Sequence, residues 1–367
     1  MRLVLASYVY SKAFNEPEAW LNRINASIGA LEKMAKTNEV ISIEQINYEG
    51  KLKKNGVQYY FKRYPKNALR FFPLKLNLYI KNLNPDVVII QGLHFPLQVI
   101  LLRSLLGHKV KILAQHHAEK PFKGGYKRKL QQWADRGIAA YLFASRPMGL
   151  TWVDAGNLKS PSKIYEVMEL SSTFYPIEKA EALQNTKISG APVFLWVGRL
   201  NANKDPLTVV GAFLKFATKN PLAKLYMIYQ TSELLPEIEQ ILAFHAFAKN
   251  VVLIGKIPHA ELHYWFNSAT YIISGSHYEG SGTAVCEAMS CRCVPIVTDI
   301  FSFRMITDYG KCGLLYAAGD QQALLTALNQ TGQLDIAEKQ RQSLAYFKSN
   351  LSFEAIATKI EDIVKLL

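Results

Sequence analysis

Short unbroken apolar runs alternate along this chain with longer stretches in which apolar residues recur every third or fourth position. The first kind reads as buried β-strand and the second as amphipathic helix, and their alternation marks βα units built around parallel sheets. In the first half the pattern predicts strands at residues 2–9, 40–46, 86–91, 109–115, 137–144 and 164–168. Helices are predicted between them at 17–36, 67–82, 96–106, 126–135 and 146–154. Residues 170–191 are polar and hold Pro176 and Gly190, which breaks the rhythm and reads as a linker. A second series then predicts strands at 193–197, 224–229, 251–257, 271–274, 294–298 and 313–316, with helices at 205–219, 235–248, 260–267, 282–290 and 320–329. From Asp335 onward the chain reads as helical, with Ser352 a suitable N-cap for a last amphipathic helix.

Two doubly wound α/β domains are expected, at residues 1–175 and 190–350, with 351–367 a C-terminal helix that packs back across the junction. A length of 367 residues suits two domains of ordinary size. Such sheets bind ligands at the carboxyl ends of their strands, so crevices that face each other would put an active site between the domains. No apolar run approaches the ~18 residues of a membrane-spanning helix, and the N-terminus reads as a first buried strand rather than a signal peptide. Cys286, Cys291, Cys293 and Cys312 lack the paired spacing of a zinc site. They are expected to be small buried hydrophobes in a reducing, cytoplasmic setting.

Charge changes the picture more than composition does. Residues 1–180 carry 27 lysines and arginines against 13 acidic residues, whereas residues 181–367 carry 16 of each. The whole excess of +14 lies in the first half, which should meet something anionic.

The strongest chemical signal is the segment from Glu279 to Glu287, Glu-Gly-Ser-Gly-Thr-Ala-Val-Cys-Glu, placed after a predicted strand and running into a helix. Gly280 and Gly282 let backbone approach a ligand, and the amides from Ser281 through Thr283 to Ala284 lie where unpaired N–H groups favour a diphosphate. Glu287, two turns on, could accept hydroxyls of a sugar or ribose. The second signal is Arg199 and Lys204, on the loop after the first strand of the second domain, where a guanidinium fork and a mobile ammonium can neutralise a departing diphosphate.

These two segments, VGRLNANKDP and EGSGTAVCEAMSCRCVPIV, closely resemble the donor-binding motifs of retaining GT-B glycosyltransferases of family 4, which pair Arg-x₄-Lys with Glu-x₇-Glu. The resemblance implies a GT-B fold, two Rossmann-like domains facing each other across a cleft. It implies a nucleotide-sugar donor, retention of configuration, no cofactor and no metal. Arg199 and Lys204 would hold the donor phosphates, Glu279 the transferred sugar and Glu287 the ribose, with Gly280, Ser281, Gly282 and Thr283 forming the phosphate turn. No Asp-x-Asp occurs in the chain, which agrees with metal independence.

The family often carries a histidine near the donor sugar, and here the strand ending at Gln115 runs into His116 and His117. Adjacent residues point to opposite sides, so one should reach the cleft, and His117 is the choice, hydrogen-bonding sugar rather than acting as base. The glycine-rich loop that many relatives have after the first strand is missing: residues 8–15, Tyr-Val-Tyr-Ser-Lys-Ala-Phe-Asn, contain no glycine.

A basic and aromatic stretch includes Lys62, Arg63, Lys66 and Arg70, and a second basic cluster includes Lys127, Arg128 and Lys129. Together they suit an anionic membrane face or a lipid-linked or saccharide acceptor, with rings at headgroup level, and each cluster by itself suits a solvated helix face over core aromatics. Nucleic acid is not the expected partner. His259 and His263, four apart, imitate a zinc helix, but Glu261 is displaced from the peptidase position and metal is not expected. The leading function is thus sugar transfer in cell-surface polysaccharide or glycolipid assembly. The alternatives are a sugar-nucleotide epimerase or hydrolase of the same fold, and a basic binding protein with a vestigial donor site.

Overall fold

Val87, Val88, Ile89 and Ile90 are all buried, as a central parallel strand covered on both faces requires. They belong to the first of two compact units into which a computed structural model, describing all 367 residues, divides the chain. That unit comprises Met1–Ser171 and Phe353–Leu367. Its sheet contains β1 (Arg2–Ser7), β2 (Glu39–Gln45), β3 (Gly50–Lys54), β4 (Val57–Lys62), β5 (Val87–Gln91), β6 (Lys111–Gln115), β7 (Ala140–Phe143) and β8 (Ile164–Glu166). The order is β3-β4-β2-β1-β5-β6-β7-β8, all parallel except β3 against β4. Strand order reverses between β1 and β5, which puts the first unit's crevice at their carboxyl ends.

The β3–β4 hairpin is absent from the predicted strands. Its turn is Asn55-Gly56, with φ of 50° and 86°, the left-handed pair that a tight two-residue hairpin needs. β3 is a sheet edge, and Lys51, Lys53 and Lys54 on it discourage pairing with another chain.

Two predicted helices are each divided. The expected helix 67–82 becomes Lys66–Phe71 and Leu74–Asn82, because Pro73 has no N–H and disfavours helical backbone at Phe72, whose φ and ψ are −136° and 69°. The expected helix 17–36 becomes Pro17–Arg23 and Asn25–Met34, with Ile24 out of the helical range.

The second unit, Ser172–Ser352, holds β9 (Val193–Gly198), β10 (Lys224–Tyr229), β11 (Val251–Gly255), β12 (Tyr271–Ser274), β13 (Val294–Thr298) and β14 (Leu314–Tyr316), all parallel. Their order, β11-β10-β9-β12-β13-β14, is that of a dinucleotide-binding sheet, with its reversal between β9 and β12. Side chains of β9 alternate between two cores. Phe194 and Trp196 pack with the helix Pro206–Ala217 on one face, and Val193 and Leu195 pack with Leu262–Ser268 on the other.

The segment read as a linker is largely part of this unit. Lys179–Thr186 is a helix, rich in the straight-chain residues and alanine that favour one, and Thr186 Oγ1 meets Ser268 Oγ at 2.9 Å. The short helix Phe301–Ile306 also lies outside the predicted elements. All four cysteines are buried and unpaired.

The last helix, Phe353–Leu366, belongs to the first unit. Ile356, Ile360, Ile363 and Val364 form its buried stripe, Lys33 pairs with Glu354, and Asn38 Nδ2 donates to Glu361 at 2.6 Å. The helix lies so close to Asn25–Met34 that a Cβ on Gly29 would fall 2.5 Å from the Phe353 ring. Gly29→Val should therefore destabilise the first unit by about 1–3 kcal/mol through overpacking, read as a lower urea midpoint at unchanged slope.

Candidate functional site

The loops that follow β9 and β12 are the ones beside the reversal point of the second sheet. Arg199 is exposed on the first, and Lys204 reaches from the same loop to the carboxylate of Glu279 on the second. Ser276 Oγ donates to the same oxygen of Glu279 at 2.7 Å. Backbone ties accompany the ion pair: His277 N–H donates to Asn203 O at 2.8 Å, and Asn203 Nδ2 donates to Tyr278 O at 3.0 Å. The approach is possible because Gly275 has no side chain, since a Cβ there would sit 3.0 Å from Asp205 O and 3.1 Å from Lys204 O. Asp205, at φ 44°, caps the helix Pro206–Ala217 through Thr208 N–H and meets His277 Nε2 at 3.2 Å. From behind, buried Thr298 donates to Ser276 O at 2.5 Å and Tyr316 to Ser274 O at 3.0 Å.

Gly282 starts the helix Thr283–Ser290 in left-handed backbone, φ 54° and ψ 50°. A Cβ there would also lie 2.6 Å from Phe303, so both conformation and packing demand glycine. The first bond of this turn is Val285 N–H to Gly282 O, and no cap side chain covers the amides of Thr283 and Ala284 before it. Gly280 and Thr283 are half-buried and Ser281 is buried beside them. Further along the helix, Glu287 is buried, and its Oε1 accepts from His259 Nε2 at 2.6 Å. That bond, outweighing the opposing effect of burial, raises the His259 pKa above the usual histidine value.

In the first unit the two adjacent histidines separate. His116 is buried, its Nε2 on Glu119 O at 2.8 Å and its ring 4.6 Å from that of Phe143. His117 is half-buried and lines a cavity of about 180 Å³. Its Nδ1 donates to Glu169 and its Nε2 to Gln91 Oε1 at 2.7 Å, while its backbone N–H is held by Glu119 at 2.6 Å. Burial is the largest influence on its pKa and works against the charged ring. The Glu169 hydrogen bond and the charges of Glu169 and Glu119 together outweigh burial, and the pKa is raised.

The cavity has aliphatic walls from Ile28, Leu31, Ile89 and Ile360, with Glu44, Gln91, His117 and Glu169 as polar members. Glu44 accepts from Ser42 Oγ at 2.6 Å and Trp20 Nε1 at 2.8 Å, and burial pushes its carboxyl above the usual range despite those bonds. Ser7, Glu44, Gln91 and Gln115, all lining the cavity, lie at or next to the carboxyl ends of β1, β2, β5 and β6.

The second unit also carries the decisive likeness to known proteins. Its residues 178–350 match the model of the family described as glycosyl transferases group 1. Solved structures resemble the whole chain. A sucrose-phosphate synthase from Thermosynechococcus elongatus is 15% identical with a TM-score of 0.68, covering 100% of this chain and 98% of its own. A glycosyltransferase from Rickettsia africae is 15% identical with a TM-score of 0.76, covering 100% and 97%. The Anabaena protein HepE in complex with UDP-glucose is 12% identical with a TM-score of 0.68, covering 100% and 99%. At such identities the likeness is one of fold, the GT-B pairing of two Rossmann-like domains.

Within this GT-B fold, the motif residues Arg199, Lys204, Glu279, Gly282 and Glu287 come from adjoining loops and one helix of the second unit. Several neighbours escaped the sequence reading. Asn203, Asp205 and Ser276 lie inside or beside the motifs, but their roles depend on how the loops meet. Gln91 and Glu169 are 26 and 52 residues from His117, with no local signal. His259 and His263 turn to different partners: His259 to Glu287, and His263 Nε2 to Tyr175 O at 2.7 Å.

Within the basic and aromatic stretch the structure separates core rings from surface cations. Tyr59 and Phe61 are fully buried in β4, so these rings are core and not available to headgroups. Lys62 lies 4.3 Å from the Tyr79 ring centre and covers that ring. Arg63, Lys66, Arg70, Lys127, Arg128 and Lys129 are exposed.

Because both ring nitrogens of His117 donate to acceptor oxygens, its imidazolium should persist above the ordinary midpoint near pH 6.5. Nitrogen-detected NMR should find that higher midpoint, and Glu169→Gln should lower it. By linkage, the pair's contribution to stability is complete below the unfolded-chain pKa and is lost as pH rises through the folded one.

Proposed function

We propose that this chain is a retaining, metal-independent glycosyltransferase of family 4 that moves a sugar from a nucleoside-diphosphate sugar to an acceptor hydroxyl. The carrying observation is the junction at the reversal point of the second sheet, where Lys204 meets Glu279 beside a helix that begins at Gly282. A diphosphate would lie on the first amides of that helix, with Arg199 and Lys204 offsetting the charge that grows on it as the sugar departs. Glu279 would accept hydroxyls of the transferred sugar and Glu287 those of the ribose. The HepE complex with UDP-glucose makes UDP the first nucleotide to try.

The acceptor belongs to the first unit in this reading. The aliphatic walls and carboxylates of the His117 cavity suit a saccharide hydroxyl joined to an apolar group. His117, with both ring protons engaged by Glu169 and Gln91, would place a positive charge beside the acceptor and would donate to it only in exchange for Gln91. The new bond from acceptor oxygen to the anomeric carbon would form as the bond to the diphosphate breaks, on the same face. The acceptor's proton would pass to a leaving phosphate oxygen.

Calorimetry with UDP, GDP, ADP and dTDP should show binding of one nucleotide, abolished by Glu287→Ala. Lys204→Ala should lower turnover by about 100-fold or more while Tm moves only a few degrees. Turnover should survive EDTA. Unchanged turnover in Lys204→Ala would remove its role, and release of free sugar or an epimer without acceptor would replace transfer by hydrolysis or epimerisation.

A second partner is proposed for the first unit, an anionic membrane presenting a lipid-linked acceptor, in cell-surface polysaccharide or glycolipid assembly at the cytoplasmic face. Phe72 is 80% exposed, beside exposed Phe71 and Leu74 and the cations Lys66, Arg70 and Lys75. The helix Gly125–Asp135 exposes Tyr126 at 70% and Trp133 at 56% around Lys127, Arg128 and Lys129. Rings and cations together favour insertion at a charged interface, and no helix is long and apolar enough to cross a membrane. Vesicles containing phosphatidylglycerol should sediment the protein and pure phosphatidylcholine should not. Phe72→Ser combined with Lys127→Ala and Arg128→Ala should abolish that binding, and equal sedimentation of the variant would sink the proposal.

A further inference from the structure

Sequence spacing suggests His259 only as an imitation metal ligand, yet it has a defined place in the fold. Its Nε2 bonds Glu287 Oε1 at 2.6 Å, and the ring stacks on Phe174 with centroids 5.2 Å apart and planes at 28°. Phe174 stacks equally on His263, at 5.2 Å and 20°, and His263 is anchored to Tyr175 O. The plane of His259 is thus fixed by a ring and its edge by a carboxylate, although its side chain is half-exposed. Glu287 is 5% exposed at its side chain, and His259 is its side-chain partner, through one oxygen. The other oxygen is left to accept a donor from outside. A carboxylate removed from water in this way is costly unless oriented donors hold it, and His259 is the donor present.

We propose that His259 is the positioning residue through which this chain recognises the ribose of its nucleotide, fixing Glu287 so that its second oxygen receives a hydroxyl of the ribose diol. The inference rests on the donor-site reading and adds the group that sets its selectivity for ribonucleotides over deoxyribonucleotides. A hydroxyl donor matches the open oxygen of an acceptor-only carboxylate, and a 2′-deoxy sugar leaves that oxygen desolvated and unpaired. The raised pKa of His259 agrees, because it keeps a proton between the two residues. The bare alternative is a buttress that only joins Pro258–Leu262 to the helix Thr283–Ser290.

The test is calorimetric binding of UDP, GDP and ADP, each against its 2′-deoxy counterpart, for wild type, His259→Ala and His259→Gln. Wild type should favour the ribonucleotide it binds by about tenfold or more. His259→Ala should compress that ratio to below about threefold, chiefly by weakening ribonucleotide binding. His259→Gln, which can still donate one hydrogen bond, should restore part of it. A wild-type ratio retained in His259→Ala, even with a lowered Tm, would overturn the proposal and leave the buttress. Equal binding of the ribo and deoxy forms by wild type would also overturn it while leaving the donor site intact. No nucleotide binding at all would instead remove the donor-site reading beneath it.

Discussion

The second unit's site depends on one constraint: two loops from neighbouring strands must touch at the point where the sheet changes direction. Parallel strands end with their loops side by side, but sequence-distant strands β9 and β12 become neighbours only because the chain winds outward to β11 and then crosses back. The contact puts Lys204 on Glu279 and threads His277 N–H to Asn203 O. It would fail with any side chain at Gly275, whose place is filled by the carbonyls of Lys204 and Asp205. The cation, the carboxylate and the start of the helix at Gly282 are therefore held by backbone geometry. Surface ion pairs alone contribute little, and here the backbone bonds and the buried braces from Thr298 and Tyr316 supply the rigidity.

This explains how much could be read from sequence. Strands such as β10, β12 and β13 are legible to the residue because each is a short apolar run between polar turns. The motif residues are legible because each lies in a local strand–loop–helix context with a mechanism attached. What escapes is whatever depends on distance in the chain. Glu169 reaches His117 because β8 lies across the same sheet, which no spacing reveals. His259 finds Glu287 only after the loop after β11 is laid against the helix after β12. Local chemistry counts as well: Asn55-Gly56 is a hairpin signal, and Pro73 forbids the continuous helix that apolar periodicity predicts.

Charge patterning is half legible in the same sense. The excess of +14 correctly isolates the first half as the cationic one, but a sequence window cannot tell an inward ring from an outward one. Alternation along β4 buries Val57, Tyr59 and Phe61 and turns Gln58, Tyr60 and Lys62 outward. The rings left at the surface lie on the helices beyond, where Phe71 and Phe72 flank the proline break and Tyr126 and Trp133 stand seven residues apart on one helix. The break at Pro73 that defeated the helix prediction is thus also what leaves Phe72 outside any helical face.

The two histidines that matter, one in each unit, use the same physical device to different ends. Each holds a poorly solvated glutamate by a ring N–H, and each has its own pKa raised by that bond. His117 spends its second nitrogen on Gln91, so both ring protons point at acceptor oxygens and no lone pair remains in the ring plane. Such a ring cannot take a proton from an attacking hydroxyl without first losing one, and losing one means breaking the bond to Glu169 or Gln91. It can offer a positive charge, and a donor only where Gln91 gives way. His259 keeps its second nitrogen outside the pair, in a half-exposed position, and the carboxylate it holds keeps an open oxygen. One pair is therefore closed and the other open, and that difference follows from whether a second acceptor lies within reach of the ring.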